Sequence, residues 1–474
     1  MKLLSCLSLL IFFPFLSASG QIQNPRHPAE WEEISGVVME FRYFKNPGVS
    51  WDEAFDPFVK TAQACIDEGI DFYILNPDMN WSHNPIPVRL DTVFSNRNIH
   101  SPLIHIISSD TLSASFPWAR DHGMFTVYQN DVEQRFLLNF EEDHSGKFIA
   151  DYLNIPSITI KTPFGEPYYS DGGNFLTDGH GTFNVATNDT SKKISGGLNH
   201  KFDYFYQYFG IKKTLNLPTS LIHIDYFLKM IDEATALIAY IPNNNFDVSI
   251  DEFYDDQYYI NQVAVAVSQQ LQSFNGNPIT FIPIQNAPTT YDRNSGIVLH
   301  TSKATYINSL ILNKTVLVPQ YQISPFDEMA LSAYKKAMPG YKIIGVNCRQ
   351  YAHLSGAIHC LTHEIYAENP IYLKHQWYEG KVKNDKNGYP ITVMAKSADG
   401  IRQAVLYWRA SKNKSFEAQI MIPMPDNHFQ ALIPSFQNET IIEYYLQVEN
   451  NSGKTINKPL VAPAHYYSFT IESF

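Results

Sequence analysis

Five short polar clusters follow one another along the chain, and each lies at the end of an apolar run. They are Trp118-Ala-Arg-Asp121, Asp171-Gly-Gly-Asn174, His223-Ile-Asp225, Tyr306-Ile-Asn308 and Gly356-Ala-Ile-His-Cys360. The last residues of successive clusters are 53, 51, 83 and 52 positions apart. Three near-equal intervals and one longer interval favour repeated supersecondary units of about fifty residues around a common axis. The units share no visible sequence similarity, so the repeat is inferred from spacing alone.

Hydrophobic periodicity between the clusters predicts both helices and strands. Apolar residues at three-and-four spacing predict helices over Ser50–Glu68, Val263–Leu271 and Pro325–Met338. Short apolar runs predict strands at Phe72–Leu75, Leu103–Ile107, Phe125–Val127, Phe136–Leu138, Ala236–Ile241 and Thr315–Val318. Because the two kinds of element interleave, the main part of the chain is expected to be α/β or α+β.

The pattern changes near the C-terminal fifth of the chain. Residues 379–389 are charged and turn-rich, which is typical of a linker. Short alternating runs follow at Ile391–Ala395, Gln403–Trp408, Glu417–Ile422, Phe429–Ile433, Ile442–Val448 and Tyr466–Ile471. They predict an antiparallel β-sandwich of immunoglobulin or fibronectin type. The predicted organisation is a catalytic domain over residues 21–378, a linker over 379–389 and a sandwich over 390–474.

The first twenty residues have the order of a secretory signal. Lys2 precedes the apolar run Leu3–Leu16, and the small residues Ser17 to Gly20 follow. We therefore expect residues 1–20 to be a signal peptide and the mature protein to be secreted, periplasmic or on the cell surface. No later stretch reaches the ~18 apolar residues of a membrane span.

Charge narrows the classes of partner. The formal net charge is −12 and the isoelectric point is near 5.7. A nucleic-acid-binding protein needs a basic surface, so this class is disfavoured. An acidic surplus is compatible with a cationic substrate, although it mainly favours solubility.

The ordered clusters resemble a known family. Trp-X-Arg-Asp, Gly-Gly-Asn, His-X-Asp and Gly-X-X-His-Cys in this order are similar to the guanidine-modifying enzymes, in particular the bacterial, Porphyromonas-type peptidylarginine deiminases and agmatine deiminases. Pro28-Ala-Glu-Trp-Glu32 resembles the opening of that branch, and the resemblance covers roughly residues 25–370. It implies a five-bladed α/β propeller with its site on the pseudo-symmetry axis, and hydrolysis of a guanidinium to a ureido group and ammonia. The C-terminal sandwich is similar to the immunoglobulin-like domain of exported peptidylarginine deiminases.

Two carboxylates in the clusters fit this chemistry independently of the resemblance. A guanidinium is planar, permanently charged and forked, so paired carboxylates can bind it bidentately. Asp121 and Asp225 are the candidates. Two carboxylates in a dry site repel one another unless a cation lies between them, and the substrate supplies that cation. The alternatives are a local ion pair for Asp121 beside Arg120 and a turn or cap role for Asp225.

Cys360 and His223 are the candidates for nucleophile and acid–base catalyst. A thiol with a pKa near ~8.5 is mostly protonated at neutral pH, so it needs a base or a positive neighbour. His223 would then protonate the departing amine and accept a proton from the water that hydrolyses the thiouronium intermediate. The alternatives are a buried core thiol and a structural imidazole.

Three further residues are expected near the substrate, each with more than one role open. Asn308 is suited to orient the cysteine or to hydrogen-bond the substrate. Asn174 is suited to bind the substrate or to close the turn that two glycines permit. Trp118 is suited to stack on the guanidinium, and core packing is its alternative.

The sequence predicts no cofactor and no metal. His359 and His363 flank Cys360 at helical spacing, which raises a zinc interpretation. No glutamate occupies the metalloprotease position between them, so metal ligation is disfavoured. The mature chain retains Cys65, Cys348 and Cys360, an odd number, and whether Cys65 and Cys348 pair is left open.

The predicted substrate is peptidyl or free arginine, which would give citrulline and ammonia. Agmatine, converted to N-carbamoylputrescine, is the alternative. In the stretch soon after the first cluster, up to residue 147, only Arg135 and Lys147 are cationic, and a C-terminal arginine would need cations or backbone N–H groups for its carboxylate. Two other classes stay open: a non-catalytic surface-binding protein, and a cysteine hydrolase or amidotransferase that uses Cys360 and His223. Partners of the sandwich are unknown.

Overall fold

The computed structural model describes most of the chain. The described residues are 22–41, 49–77, 89–109, 117–140, 144–160, 172–182, 184–188, 205–218, 223–241, 265, 269–287, 290–292, 297–300, 304–352, 354, 356–410 and 414–473. The predicted signal peptide, Asp171 of the second cluster and most of the predicted helix Val263–Leu271 lie outside them. No helix among the described residues is long and apolar enough to cross a membrane.

The helices of the described residues lie in the first part of the chain. They are α1 (Trp51–Glu68), α2 (Leu90–Ser95), α3 (His144–Tyr152), α4 (Phe326–Ala337), α5 (Arg349–Ala352) and α6 (Ile358–Leu361). The predicted helices at Ser50–Glu68 and Pro325–Met338 are confirmed.

Local sequence explains where α1 begins and ends. The hydroxyl of Ser50 accepts from the amide of Glu53, and the Glu53 carboxylate accepts from the amide of Ser50, which closes a capping box. At the other end Gly69 takes a left-handed φ of 70° that favours glycine. Phe55, Phe58 and other apolar residues of one face are buried in the main core.

The same part of the chain contains eighteen described strands. They are β1 (Ile34–Glu40), β2 (Asp71–Pro77), β3 (Ile104–Ser109), β4 (Phe125–Tyr128), β5 (Arg135–Phe140), β6 (Ser157–Ile160), β7 (Leu176–Thr177), β8 (Asn184–Asn188), β9 (Thr214–Pro218), β10 (Leu228–Met230), β11 (Thr235–Tyr240), β12 (Thr280–Gln285), β13 (Thr290–Asp292), β14 (Ile297–His300), β15 (Leu310–Leu312), β16 (Thr315–Gln320), β17 (Lys342–Asn347) and β18 (Thr362–Tyr366). All six strands predicted here are confirmed, each within about three residues of its predicted ends.

Five sheets of this part share one connectivity. Their strand orders are β4-β5-β6, β7-β8-β9, β10-β11-β12, β15-β16-β17 and β18-β1-β2-β3. In each sheet the first pairing is antiparallel and the next is parallel. In the fifth sheet the late strand β18 pairs with the early strand β1, so the two ends of this part of the chain are joined. The predicted interleaving of helices and strands is therefore confirmed as a mixed α/β fold.

Each polar cluster directly precedes the first strand of one of these sheets. Three clusters form 3₁₀ turns, at Ala119–Asp121, Gly172–Asn174 and Ile224–Tyr226. Asn308 lies just before β15, and Cys360 lies in α6, just before β18. The turn at Ala119–Asp121 contacts both α6 and the turn at Gly172–Asn174, which in turn contacts Ile224–Tyr226. The repeated connectivity thus gathers residues from five distant clusters in one place.

The C-terminal part is all β among its described residues. Its strands are β19 (Tyr372–His375), β20 (Gly380–Lys383), β21 (Tyr389–Lys396), β22 (Ile401–Arg409), β23 (Glu417–Ile420), β24 (Ile422–Met424), β25 (His428–Ile433), β26 (Ile441–Asn450), β27 (Thr455–Lys458) and β28 (Tyr467–Glu472). They form two sheets, of order β19-β21-β25-β24 and β20-β28-β26-β22-β23, with β27 paired to β26. Alternate residues of both sheets, such as Val393 and Leu446, share one hydrophobic cluster. All six predicted strands are present.

The start of the all-β part differs from the predicted boundary. Strand β19 already belongs to its sheets although it precedes residue 379, and β20 occupies four residues of the predicted linker. Lys381 and Lys383 of β20 are exposed, so the strand has no alternating apolar pattern. It forms because its backbone pairs with β28.

Charged residues join the two parts. Lys458 of β27 pairs with the buried Glu233, and His180 Nε2 lies 3.5 Å from the same carboxylate. Burial and the neighbouring charge of Glu233 raise the pKa of Asp232 to about 7. The ordinary pKa of this carboxyl, which applies in the unfolded chain, is 3.8. Between that pH and about 7 the folded protein therefore keeps a proton on Asp232 that the unfolded chain has lost.

The raised pKa of Asp232 gives a pH-dependent stability. The stabilisation from the proton on Asp232 is complete below the pKa of the unfolded chain, and it is lost as the pH rises through the folded pKa of about 7. We expect Asp232→Asn, which keeps the Oδ1 acceptor for the Ala234 amide at 2.8 Å, to raise Tm relative to wild type more at pH 8 than at pH 5. The exposed Asp426→Asn is the control, without such a difference. Thermal denaturation at both pH values tests this, and equal Tm differences for Asp232→Asn at the two pH values would contradict it.

Candidate active site

The thiol of Cys360 lies at the meeting point of the clusters. Cys360 is 3% exposed and belongs to the short helix α6. The segment before α6 passes closely under Trp118, since a Cβ on Gly356 would lie 2.4 Å from the indole ring. Trp118 also packs edge-on against Tyr351 at 6.3 Å. The indole is thus in contact with the segment that presents the thiol.

Asn308 fixes Cys360 from the neighbouring unit. Its Oδ1 accepts from the amides of His359 at 3.1 Å and Cys360 at 3.3 Å. Its Nδ2 lies 3.1 Å from Cys360 Sγ, where it can donate to the sulfur. Asn308 is fully buried. The sequence left two roles open for Asn308, and these contacts favour the one in which it orients Cys360.

Asp225 lies beside the same sulfur. Its Oδ2 is 3.5 Å from Cys360 Sγ and 2.7 Å from His359 Nδ1. Its Oδ1 is buried and has no hydrogen-bond partner among the described residues. Burial raises the pKa of Asp225, but the hydrogen bond and charge of His359 outweigh burial and hold it below its ordinary value. An ionised carboxylate with one free oxygen therefore stands next to the thiol.

His223 and Asp121 complete the cluster. His223 Nδ1 lies 4.0 Å from Asp121 Oδ1, and both side chains are largely buried. The amide of Gly173 points towards Asp121 Oδ1 at 3.4 Å. Cys360, His223, Asp225, Asp121 and Asn308, all predicted as site residues, are brought together.

Gly172 and Gly173 allow their turn to lie close to the turns that carry Arg120 and His223. A Cβ on Gly172 would lie 2.2 Å from the carbonyl oxygen of Arg120. A Cβ on Gly173 would lie 2.4 Å from His223 Nδ1 and 3.1 Å from Asp225 Oδ2. Only glycine leaves room for these contacts. Asn174, the last residue of this turn, is half-buried, and both of its predicted roles stay predictions.

The thiol is strongly disfavoured as an anion in this state. Burial raises the pKa of Cys360 to about 11, and the negative charges of Asp225 and Asp121 act in the same direction. The hydrogen bond and charge of His223 oppose this shift. A cation placed between the carboxylates and the sulfur would relieve both effects, since it offsets the charge that keeps the proton on sulfur.

A buried charge network lies behind the site. Arg120 forms a bidentate pair with Glu364, at 2.7 and 2.9 Å, and its Nε donates to the His359 carbonyl at 3.2 Å. Glu30 pairs with the buried Lys229 and lies 3.3 Å from His359 Nε2. From sequence, Arg120 was expected only as an alternative ion-pair partner of Asp121, and Glu30, Lys229 and Glu364 had no predicted role, although Arg120 and Glu30 stand inside the quoted motifs. Their pairing was not visible because it joins residues far apart in sequence.

The histidines that raised the zinc interpretation have separate environments. His359 lies between Asp225 and Glu30, whereas the ring of His363 packs edge-on against Phe125 at 5.3 Å. Burial lowers the pKa of His363 to about 3. Among the described residues, ligand-type atoms of Glu30, His359 and Glu364 lie within 4.8 Å of one another. Lys229 and Arg120 already neutralise the two carboxylates, so a metal ion there would face two further cations.

Cys65, Cys348 and Cys360 are free, buried thiols. Cys65 and Cys348 do not pair. Burial raises the pKa of each well above its ordinary value, so both behave as inert core residues.

A thiol, an imidazole and two carboxylates in one buried cluster suit a cysteine-dependent hydrolase for cationic substrates. The family model of Porphyromonas-type peptidyl-arginine deiminases matches residues 26–365. The chain belongs to this family. It is accordingly a hydrolase that acts on the C–N bonds of guanidino groups.

Individual relatives agree with the family at low identity. A protein of Legionella pneumophila strain Paris, provisionally named agmatine deiminase, is 22% identical over 271 residues, which is 55% of this chain and 75% of that protein. The structure of an Enterococcus faecalis agmatine deiminase aligns with TM-score 0.56 at 18% identity, over 74% of this chain and 99% of that one. A C. jejuni agmatine deiminase gives 0.54 at 17%, with the same coverage. The structural matches establish the fold.

Gly173→Ala tests the close approach of the turns. The added methyl group would displace His223, and we expect kcat/KM to fall about 100-fold while Tm changes little, since a misplacement of about 1 Å costs this much. Gly380→Ala is the control: its left-handed φ of 63° costs some stability, but its Cβ meets nothing within 4 Å, so it should keep full activity. Wild-type activity in Gly173→Ala would refute the geometric argument.

Asn308→Asp tests the contact with the sulfur. The aspartate keeps an acceptor for the two amides, but it replaces the donor to Sγ by negative charge. We expect the midpoint of iodoacetamide alkylation of Cys360 to shift to a higher pH than in wild type. The midpoint is measured by mass spectrometry of the Cys360 peptide after timed alkylation. An unchanged or lower midpoint would show that Asn308 does not stabilise the thiolate.

Proposed function

We propose that this chain deiminates the guanidinium of peptidyl or free arginine, giving citrulline and ammonia, through a covalent thiouronium on Cys360. The observation that carries the proposal is the free Oδ1 of an ionised Asp225 beside the buried thiol, with His223 and Asp121 adjacent. A forked cation is the ligand that two carboxylates in a dry site select.

The first step is binding of the substrate cation. Asp225 and Asp121 accept hydrogen bonds from its N–H groups. Because the cation offsets their charge, it lowers the pKa of Cys360 from its value of about 11, and the thiol proton passes to His223. Asn308 keeps the sulfur oriented.

The second step forms the covalent intermediate. Cys360 Sγ attacks the guanidinium carbon, and His223 returns its proton to the departing nitrogen, which leaves as ammonia. A thiouronium remains on the sulfur. His223 then takes a proton from water as the oxygen attacks the same carbon. Collapse of this adduct breaks the C–S bond, releases the ureido product and returns the thiol. Such acid–base catalysis contributes about 10²–10⁴ in rate.

The proposal extends to the architecture. The five sheets of equal connectivity and the mutual contacts of the cluster turns support a five-bladed α/β propeller with the site on its axis. Two sheets around one hydrophobic cluster support an immunoglobulin-like sandwich. Export through residues 1–20 stays a prediction.

Agmatine is the second candidate substrate, because the named relatives and solved structures include agmatine deiminases. The cations that follow the first cluster have other partners: Arg135 donates to the Tyr366 carbonyl, and Lys147 pairs with Asp151 at 2.8 Å. Arg135 is therefore engaged with backbone, and Lys147 already has a carboxylate of its own helix beside it. We therefore expect internal arginine to be used at least as well as C-terminal arginine.

A substrate panel tests this function. Purified mature protein is incubated without added metal with agmatine, free arginine, and peptides with internal or C-terminal arginine, and ammonia and the ureido product are measured. We expect release from an arginine compound, with kcat/KM for agmatine lower than for arginyl substrates. Faster turnover of agmatine would select the alternative. No product from any of them would contradict deimination.

Cys360→Ala tests the nucleophile. We expect kcat to fall at least about a thousandfold, since removing the nucleophile leaves only binding and electrostatic stabilisation. Cys65→Ala is the matched control, because Cys65 is likewise a buried free thiol but lies in α1. It should keep wild-type kcat. A thiouronium adduct on the Cys360 peptide, trapped by acid quench, supports the route, and substantial activity of Cys360→Ala would refute it.

A further inference from the structure

The residue that holds Asp225 is His359. Its Nδ1 lies 2.7 Å from Asp225 Oδ2, and its side chain is 1% exposed. Among the described residues, the other hydrogen-bonding group at this oxygen is the thiol of Cys360 at 3.5 Å. The orientation of the carboxylate, and with it the direction in which the unpartnered Oδ1 points, is therefore set by one imidazole.

The other ring nitrogen of His359 faces a second carboxylate. His359 Nε2 lies 3.3 Å from Glu30 Oε1, and the second oxygen of Glu30 pairs with Lys229. Lys229 Nζ also donates to the Ser309 carbonyl at 2.6 Å, next to Asn308. Buried charge and hydrogen bonds thus connect Lys229, Glu30, His359 and Asp225 in one row. The row ends at the free oxygen of the candidate guanidinium site.

Carboxylate oxygens lie on both sides of the His359 ring. Lys229 and His359 hold the pKa of Glu30 far below its ordinary value despite burial. The ring of His359 therefore lies between Glu30 and Asp225, with Nε2 facing one carboxylate and Nδ1 facing the other. Either carboxylate without a partner would be costly to bury.

We propose that His359 is a positioning residue: its Nδ1 holds Oδ2 of Asp225 and so turns Oδ1 towards the substrate, with Glu30 and Lys229 on the other side of the ring. The inference rests on the proposed function, in which Asp225 binds the guanidinium. It assigns a role to a histidine that does not touch the reacting atoms. The backbone of His359 is held separately by Asn308, so its side chain can be changed without releasing α6.

Other charged groups face Asp225 and must be kept constant in a test. His359 and Cys360 face it from α6, His223 from its own turn, and Arg120 from the turn at Ala119–Asp121. Asp121 lies on the other side of His223. Substitutions confined to His359 leave all of these in place, so a change in the titration of Asp225 reports on the imidazole.

Two amide variants separate the two ring nitrogens. The side-chain nitrogen of asparagine reaches about where Nδ1 lies, and that of glutamine about where Nε2 lies, because they differ by one methylene. His359→Asn therefore keeps a donor to Asp225, whereas His359→Gln places it towards Glu30. We expect His359→Asn to retain kcat/KM within about tenfold of wild type and His359→Gln to lose about 100-fold, mainly through a raised KM.

Titration of Asp225 gives a readout that a merely structural role would not move. In ¹³C-aspartate-labelled protein its carboxyl signal is assigned by difference against Asp225→Asn. We expect the pKa of Asp225 to stay low in wild type and His359→Asn, and to rise by at least about one unit in His359→Gln. Tm of each variant shows whether it is folded.

The outcomes separate the two claims. A wild type without deiminase activity, in which the pKa of Asp225 still depends on His359, would refute the proposed function and keep the positioning role. An active wild type, in which both variants leave the pKa of Asp225 unchanged or lower activity equally, would overturn the inference. If His359→Gln fails to fold, His359→Asn alone tests the positioning role. Loss of activity together with a raised pKa of Asp225 in His359→Asn would contradict it, because this variant keeps a donor at the Nδ1 position.

Discussion

An ionised carboxylate lies 3.5 Å from a buried thiol, and the rest of the site follows from this contact. Burial, together with the charge of Asp225, raises the pKa of Cys360 to about 11, so the thiol keeps its proton. The arrangement is unfavourable for a nucleophile until a cation enters. It is therefore a site in which the charge of the substrate takes part in activating the sulfur, and this distinguishes it from a hydrolase for neutral amides.

Such a site needs support from behind, because burial raises the pKa of Asp225 and works against its ionised form. The hydrogen bond from His359 opposes this, and Lys229 pairs with Glu30 on the far side of the ring. Arg120 and Glu364 form a second pair beneath α6, which fixes the helix that carries Cys360. The buried network is costly to desolvate, and its charges are retained here where they orient a functional group.

The sequence predicted the residues that would contact the substrate better than the buried residues that hold those side chains in place. Cys360, His223, Asp225 and Asp121 stand in short motifs whose residue types carry the chemistry. His359 was considered only as a zinc ligand, and Glu30 and Lys229 had no role, because their contacts arise only once β1 pairs with β18 and the turns meet. Strand β18 itself, Thr-His-Glu-Ile-Tyr, shows no apolar alternation, yet all five residues are buried since Glu364 has Arg120 as its partner. Strand β20 was missed for the opposite reason: it is exposed, and only backbone pairing defines it.

The central claim is that the guanidinium cation lowers the pKa of the Cys360 thiol. Thiolate absorbance, recorded as a difference between wild type and Cys360→Ala across pH, measures this pKa directly with and without saturating methylguanidinium. The account predicts a midpoint near 11 in the free protein that falls by at least about two units when the cation is bound, in line with an opposite charge at close range. A midpoint that stays the same with the cation bound would contradict it.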